Sequence, residues 1–298
     1  MTPQFRMLST AGTAILVAST TATAAAQSVQ TVAADSFSAP LEVQSHGATL
    51  RGTIRVAAGA GSHATVVFLK GLPDVDEPAF PRFAQAEGFN GVSVSFRGQH
   101  RSDGQYTIEG TVEDAHALVE FLRSETARRL YRVDPERIVV VSASGGTLAA
   151  LQTVASDPGL RCVAVMVPFN WTQAAQAARS DSSVRKRIVG IVASMTVGPK
   201  APIRVSSDFT AHLLANAELY DIRRAGANLH QRVVFLIGAQ QDDVAVLSVN
   251  HDPLLQAIRT AGPALLRDTL VADGHALALT QQDVFAAIGR WLRTDCRP

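Results

Sequence analysis

The chain has 298 residues, 47% of them hydrophobic and 18% charged, which excludes a disordered, collagen-like or low-complexity protein. Lysine plus arginine (27) nearly equals aspartate plus glutamate (26), so no excess charge favours nucleic acid or an anionic membrane surface as a partner. Two cysteines are too few for a disulfide-dense scaffold or a four-cysteine zinc site. A globular enzyme or ligand-binding domain with a substantial core remains.

Residues 1–26 follow the order of a secretory signal peptide. A single early charge at Arg6 precedes a mildly apolar run around Ile15, and small residues end the segment at Ala26. The apolar run is too short and too polar for a stable membrane span. The excess of arginine over lysine is typical of a bacterial chain, so we expect a periplasmic or secreted protein whose mature domain is 27–298.

Apolar strands alternate with helices along this domain. The predicted strands are two stretches of 41–56 around a turn at His46-Gly47, then 64–69, 91–96, 137–141, 163–167, 233–237 and 264–271. The predicted helices are 78–87, one opened by the capping pattern Thr111-x-x-Asp114, 146–155, 252–261 and 281–293. This alternation predicts an α/β fold, with a mostly parallel sheet of about eight strands and helices on both faces. Residues 169–230 break the rhythm and are predicted to form a helical cap insertion.

The segment from Ser142 to Gly146 lies between a buried strand and a helix. A serine on such a tight turn needs small neighbours, because bulk beside it would clash with the turn that pushes its hydroxyl outward. The usual pattern is G-x-S-x-G, and here Ser142 replaces the first glycine. Ser144 is therefore the candidate nucleophile.

A serine nucleophile needs a base, and the base needs a group that orients it. Of the four histidines that follow Ser144, His275 has the best position because it comes just after a predicted strand; His251 is expected at the surface or as a helix cap. An aspartate after the strand 233–237 would orient the imidazole. Asp242 is favoured for that role, and Asp243 stays open.

Two backbone N–H groups are candidates for an oxyanion hole. The first is that of Gly145, directly after the nucleophile, and the second is that of Leu72, in the loop after an earlier strand.

The quoted motifs resemble the α/β-hydrolase superfamily, in particular its dienelactone-hydrolase-like and prolyl-oligopeptidase-like members. The matching landmarks, spread over residues 40–295, are VVFLKGLP, VSVSFRGQHRSDGQ, DPERIVVVSASGG, VVFLIGAQQDD and DGHAL. The resemblance implies a Ser144–Asp242–His275 triad with Leu72 and Gly145 as oxyanion donors, and it implies that the loop beginning at Arg97 shapes the site without reacting. The sequence departs from the family at Ser142, at Lys70 where many members have histidine, and in one extra residue before Asp242.

The implied reaction is hydrolysis of an ester, thioester or amide of a small-molecule acyl substrate through an acyl-enzyme, with no metal or organic cofactor. The cap would set substrate choice, and five of its residues are candidates for an apolar pocket: Phe169, Trp171, Met195, Phe209 and Leu213.

Two alternative functions stay open. One is an exported peptidase, which would need acidic residues near the pocket such as Asp181 or Glu218. The other is a non-catalytic binding protein, which the altered elbow favours.

Cys162 and Cys296 are expected at the same end of the sheet. Cys162 precedes the strand after the elbow helix, and Cys296 follows the last helix, which should run back to that end. An exported protein lies in an oxidising compartment, so we expect these two cysteines to form a disulfide.

Overall fold

The computed structural model of the chain describes residues 34–72, 78–196 and 202–298. The predicted signal peptide, residues 1–26, lies outside this part. Within it, eight strands form one sheet: β1 Phe37–Ser45, β2 Ala48–Val56, β3 His63–Lys70, β4 Asn90–Val94, β5 Val133–Ala143, β6 Cys162–Met166, β7 Val233–Ala239 and β8 Leu265–Val271.

The strand order is β1-β2-β4-β3-β5-β6-β7-β8. β1 pairs with β2, and β2 with β4, in antiparallel fashion, while all pairs from β4 to β8 are parallel. The predicted mostly parallel sheet of about eight strands is therefore confirmed. Since the parallel strands share a direction, the loops that follow them meet at one edge of the sheet.

The central strands are mostly apolar because helices cover both of their faces. Along β5, Val140 belongs to one core cluster while Val139 and Val141 belong to the other, as the two-residue repeat of a strand requires. β8, at the edge of the sheet, is mostly exposed.

Ten α-helices connect or flank the strands of the described part. They are α1 Ala79–Ala86, α2 Ile108–Arg123, α3 Glu125–Tyr131, α4 Thr147–Ser156, α5 Trp171–Ser180, α6 Ser182–Thr196, α7 Phe209–Ala215, α8 Ile222–Gly226, α9 His251–Ala261 and α10 Gln281–Trp291. Residues of α1 and α10 contribute to one core cluster, and residues of α2, α4, α8 and α9 to the other.

Helix α2 begins earlier than the sequence pattern predicted. The hydroxyl of Thr107, not that of Thr111, caps the helix by accepting the N–H of Gly110 at 2.9 Å. Thr111 lies inside the first turn and donates to the carbonyl of Ile108. Asp114, expected to complete the cap, is fully buried and accepts the hydroxyl of Ser45 instead.

The segment between β6 and β7 holds four of the helices, α5 to α8. Helix α5 contacts both α6 and α7, whereas α8 packs beside the sheet against α4 and α9. No residue of α6 is buried, so this helix rests on the molecule without entering its core.

A disulfide joins Cys162, the first residue of β6, to Cys296, the last residue of the helical turn Leu292–Cys296 that follows α10. The predicted pairing is therefore present. Since Cys162 begins its strand, the bond lies at the amino end of the sheet, opposite the edge where the loops meet.

No helix in the described ranges is both long and apolar enough to cross a membrane.

Candidate active site

Ser144 lies on a sharp turn between β5 and α4. Its φ is +53°, a left-handed value that is strained for a residue with a side chain. The turn fits only because its neighbours are small: a Cβ on Gly145 would lie 3.1 Å from the Trp171 ring, and one on Gly146 would lie 2.9 Å from the Leu69 carbonyl carbon. The sequence reasoning that required small residues after Ser144 thus has a direct steric basis.

Ser142, the departure from the usual pattern, lies in β5 between β3 and β6, where it pairs with Leu69 and Val165. It is fully buried, and its hydroxyl has no hydrogen-bond partner among the described residues. Serine at this position therefore fits the space without taking part in a polar network.

The structure brings Ser144, His275 and Asp242 into one hydrogen-bonded chain. The Oγ of Ser144 lies 2.8 Å from Nε2 of His275, and Nδ1 of His275 lies 2.8 Å from Oδ2 of Asp242. An ionised carboxylate accepts only, so Nδ1 of His275 carries a proton and donates it. Its Nε2 is then free to accept the hydroxyl proton of Ser144.

Asp242 is held so that its second oxygen faces the backbone. Its Oδ1 accepts the N–H groups of Val244 at 2.9 Å and Ala245 at 2.6 Å. Burial acts to raise the pKa of Asp242, but the bonds from His275 and these two N–H groups outweigh it, so the pKa lies below its usual value. The carboxylate is therefore ionised beside the imidazole, whereas the neighbouring Asp243 is exposed.

Asp273 anchors the loop that carries His275, a role that the sequence analysis did not identify. Its carboxylate accepts the N–H groups of Gly274, Leu279 and Thr280 at 2.7–2.8 Å, and the hydroxyl of Thr280 at 3.0 Å. Burial acts against the charge, yet these donors lower the pKa of Asp273. An aspartate directly before a glycine at a strand end was the available signal, since such residues commonly organise turns.

The other histidines after Ser144 lie elsewhere. His212 is half-exposed on α7, and His230 bonds to a carbonyl in an exposed turn. His251 was expected at the surface or as a cap, and the surface position is wrong. It is buried as the first residue of α9, with Nε2 bonded at 3.0 Å to Asp268.

The two candidate oxyanion donors, Leu72 and Gly145, line the same cavity as Ser144. The loop after β3, which carries Leu72, packs its backbone against that of Gly145. A Cβ on Gly71 would lie 2.8 Å from the Cα of Gly145 and closer still to its nitrogen. Only glycine at position 71 permits this approach. Trp171 packs on the other side of Gly145 and donates weakly to its carbonyl, at 3.4 Å.

Ser144 lies between two cavities. The first, called the apolar cavity, has a volume of about 140 Å³ and is lined mostly by hydrophobic side chains of the cap. All five predicted pocket residues line it: Phe169, Trp171, Met195, Phe209 and Leu213. The second, called the histidine-side cavity, has a volume of about 520 Å³ and is lined by His275, Gln281 and Lys70, among others.

The acidic residues that a peptidase would need are occupied elsewhere. Asp181 bonds to the N–H of Ser183 at the start of α6, and Glu218 bonds to Gln176 on α5. No carboxylate of a described residue lines either of the two cavities that contain Ser144.

The loop beginning at Arg97 is tied to helix α2, and its residues line neither of the two cavities that contain Ser144. The N–H of Arg97 donates to Asp114 at 2.7 Å, and its guanidinium pairs with the same carboxylate. Ser102 donates to the carbonyl of Ser95 at 2.6 Å. These contacts fit the shaping role that the family resemblance implied.

A buried polar network joins the residues that precede helices α5, α8 and α9. The N–H of Asn170 donates to Asn250 at 2.8 Å, and the Asn170 side chain donates to Asp221 at 3.1 Å. Asp221 also forms a two-pronged pair with Arg223. Burial acts to raise the pKa of Asp221, but Arg223 and Asn170 outweigh it, so the pKa is lowered.

Comparison with solved structures finds many similar folds at low sequence identity. An esterase from Pyrococcus furiosus, Pf2001, has 16% identity and a TM-score of 0.63, with 86% of this chain and 91% of that chain covered. Est1E from Butyrivibrio proteoclasticus, solved with ferulic acid, has 12% identity and a TM-score of 0.63, with 87% and 100% covered. Acetyl xylan esterase 1 from a Thermoanaerobacterium species has 15% identity and a TM-score of 0.60, with 86% and 83% covered.

A scan against protein-family models and a search of curated protein sequences gave no match. The structural likeness therefore establishes the fold of this chain, and its chemistry has to be argued from its own residues.

Proposed function

We propose that this chain, which has the α/β-hydrolase fold, is an exported serine hydrolase that cleaves carboxylic esters. The observation that carries the proposal is the hydrogen-bonded chain from Ser144 through His275 to Asp242, with Ser144 on a strained turn. Strain of this kind costs about 1–3 kcal/mol and is retained where function needs it. The esterases among the similar solved structures support the same class of reaction.

The first half of the reaction forms an acyl-enzyme. As Oγ of Ser144 attacks the ester carbonyl carbon, Nε2 of His275 takes the hydroxyl proton and Asp242 stabilises the resulting imidazolium. The N–H groups of Leu72 and Gly145 then donate to the oxyanion of the tetrahedral intermediate. When the carbon–oxygen bond to the alcohol breaks, His275 gives the proton to the departing oxygen.

Water completes the cycle by the same route. His275 removes a proton from water as the water oxygen attacks the acyl carbon, and a second oxyanion forms at the same donors. The bond from the acyl carbon to Ser144 breaks as His275 returns the proton to Oγ. The free acid leaves, and the starting hydrogen bonds are restored.

The described lining favours an ester over a peptide with a free amino terminus. Such a peptide needs a carboxylate beside the site, and neither Asp181 nor Glu218 lines a cavity that contains Ser144. The one charged side chain of a described residue in those linings is Lys70, a cation.

Export is part of the proposal. It rests on the signal-peptide pattern of residues 1–26 and on the Cys162–Cys296 disulfide, which persists in oxidising compartments. Intact-mass analysis of the protein recovered from the periplasm or medium should give a chain that begins at Gln27. A chain that stays in the cytoplasm with residue 1 in place would contradict export.

The test of the chemistry is labelling with a fluorophosphonate, which reacts with activated serines. We expect a stoichiometric adduct on the peptide that contains Ser144, and none in Ser144→Ala. Ser142→Ala is the matched control, because it removes a hydroxyl two residues away that lacks a partner among the described residues. Folded wild-type protein that forms no adduct would contradict the proposal and favour a binding protein.

A further inference from the structure

The two cavities at Ser144 differ in their access to His275. A departing alcohol must receive its proton from Nε2 of His275, so it has to occupy a space that both Ser144 and His275 line. The histidine-side cavity meets this condition. The apolar cavity is lined by Ser144, Leu72 and Gly145 but not by His275. The acyl chain, which stays on the serine, therefore extends into the apolar cavity.

The apolar cavity limits both the polarity and the size of that chain. It has no charged side chain in its lining, so an acyl group with a second carboxylate or an amine would lose its hydration without gaining a partner. Its volume is about 140 Å³. An apolar protein cavity of about 150 Å³ holds one benzene molecule, which has six carbons.

A thin wall separates the apolar cavity from a second space, the outer groove, of about 450 Å³. The residues that line both are Phe169, Ala174, Ile188, Ile191 and Val244. The outer groove also has a polar and charged rim, including Gln173, Arg187 and Asp243. Ile188 is a wall residue on α6 that is only partly buried, so its truncation should leave the folded core in place.

From these observations we propose that the apolar cavity is an acyl pocket for uncharged chains of about four to six carbons, and that Ile188 is part of the wall that closes it toward the outer groove. The proposal rests on the esterase function proposed above and adds its substrate class. Esters of short to medium fatty acids fit it, and the larger histidine-side cavity accepts alcohols bulkier than the acid. Longer acyl chains are excluded by the wall, not by the catalytic groups.

The test is a series of p-nitrophenyl esters from acetate to dodecanoate, each assayed below its micelle concentration. The leaving group is constant, so kcat/KM reports how well the acyl chain fits. We expect kcat/KM to rise about fourfold per methylene up to butanoate or hexanoate, the fold-change that corresponds to about 0.8 kcal/mol per buried methylene. It should then fall at least tenfold by decanoate.

Two variants should move the optimum in opposite directions. Ile188→Ala joins the apolar cavity to the outer groove, so decanoate should gain at least tenfold relative to butanoate. Ala174→Leu fills the cavity, so acetate should become the best substrate. Val189→Ala is the matched control, because Val189 is the next residue of α6, is 46% exposed and lines neither space.

The outcomes separate the two proposals. A wild-type optimum at octanoate or longer, or an optimum that neither Ile188→Ala nor Ala174→Leu moves, overturns the acyl pocket while leaving the esterase in place. Failure to hydrolyse any ester, together with no fluorophosphonate adduct on Ser144, overturns both. A shift with Val189→Ala as large as that with Ile188→Ala overturns the role of Ile188.

Discussion

Gly71 offers a sharp test of how the oxyanion donors are positioned. It precedes Leu72 and touches the turn that carries Gly145, so it lies between the two proposed donors. In Gly71→Ala the new methyl group would lie 2.8 Å from the Cα of Gly145 and nearer still to its nitrogen. Carbon atoms in ordinary contact are about 3.5–4.0 Å apart, so the two backbones must separate by about 1 Å. Both clashing atoms are backbone, and no side-chain rotation relieves the contact.

A displacement of that size separates the donors from the oxyanion. Loss of one oxyanion-hole donor lowers kcat about 10²–10³-fold, and a misplacement of about 1 Å lowers the rate by a similar factor. We therefore expect Gly71→Ala to lower kcat at least 100-fold with a KM within threefold of wild type. The hydrogen bonds among Ser144, His275 and Asp242 do not involve Gly71, and the apolar cavity is not lined by it, so binding of the acyl chain should change little.

The assay is steady-state hydrolysis of p-nitrophenyl butanoate, with circular dichroism to show that the variant is folded. The matched control is Gly274→Ala. It lies beside His275, but its new methyl group would meet only the carbonyl oxygen of Gln241, at 3.7 Å. Folded Gly71→Ala with kcat within threefold of wild type would refute the assignment of Leu72 and Gly145 as donors. An equal loss in Gly274→Ala would show that any methyl group near the site is harmful.

Three further predictions concern the triad, the cap and the disulfide. Asp242→Asn should lower kcat about 10³–10⁴-fold in ester hydrolysis while Asp243→Asn stays within threefold of wild type, because Asp242 alone bonds to the imidazole; equal losses would contradict this. Because the pKa of Asp221 is lowered, its carboxylate stabilises the fold above about pH 4, and this contribution is lost as the pH falls through the lowered pKa. Asp221→Asn should therefore reduce the loss of unfolding free energy toward acid pH, measured by urea titration at several pH values. A loss as steep as in wild type would contradict this prediction. Reduction of the Cys162–Cys296 bond should lower the free energy of unfolding by up to about 5 kcal/mol in the chain-entropy model while leaving kcat unchanged, and equal urea midpoints with and without reductant would refute it.

The sequence predicted the strands well because the sheet is covered on both faces. A strand with helices on either side is mostly apolar along both of its faces, and the run VVFL within β3 has that property. The core strands could therefore be located from the sequence without knowing their order in the sheet. Their order, with β4 between β2 and β3, comes from pairing between distant segments and has no local signal.

Helix ends were harder because several residues compete to be the cap. Thr107 and Thr111 are one turn apart, and both could begin a helix by their chemistry. Thr107 caps α2 because its own backbone is extended, whereas Thr111 already lies within the helix. Helix α3 was missed because it has seven residues and buries only Ala127, which leaves no repeat to detect.

The sequence located those residues of the candidate site that follow a strand. Ser144 and His275 both follow strands of the parallel sheet, so their meeting follows from the fold. The choice between Asp242 and Asp243 depends on which carboxylate the N–H groups of Val244 and Ala245 face, and spacing alone cannot give that.

The disulfide also divides the chain mechanically. It joins two cysteines 134 positions apart, and the loop it closes contains Asp242 and His275, while Ser144 lies outside it. When such a chain is pulled by its two ends, the closed loop cannot lengthen, so the oxidised protein should extend about 450 Å less than the reduced one. A translocating motor or an unfolding protease that pulls from one terminus would meet two of the three proposed catalytic side chains inside a covalent ring.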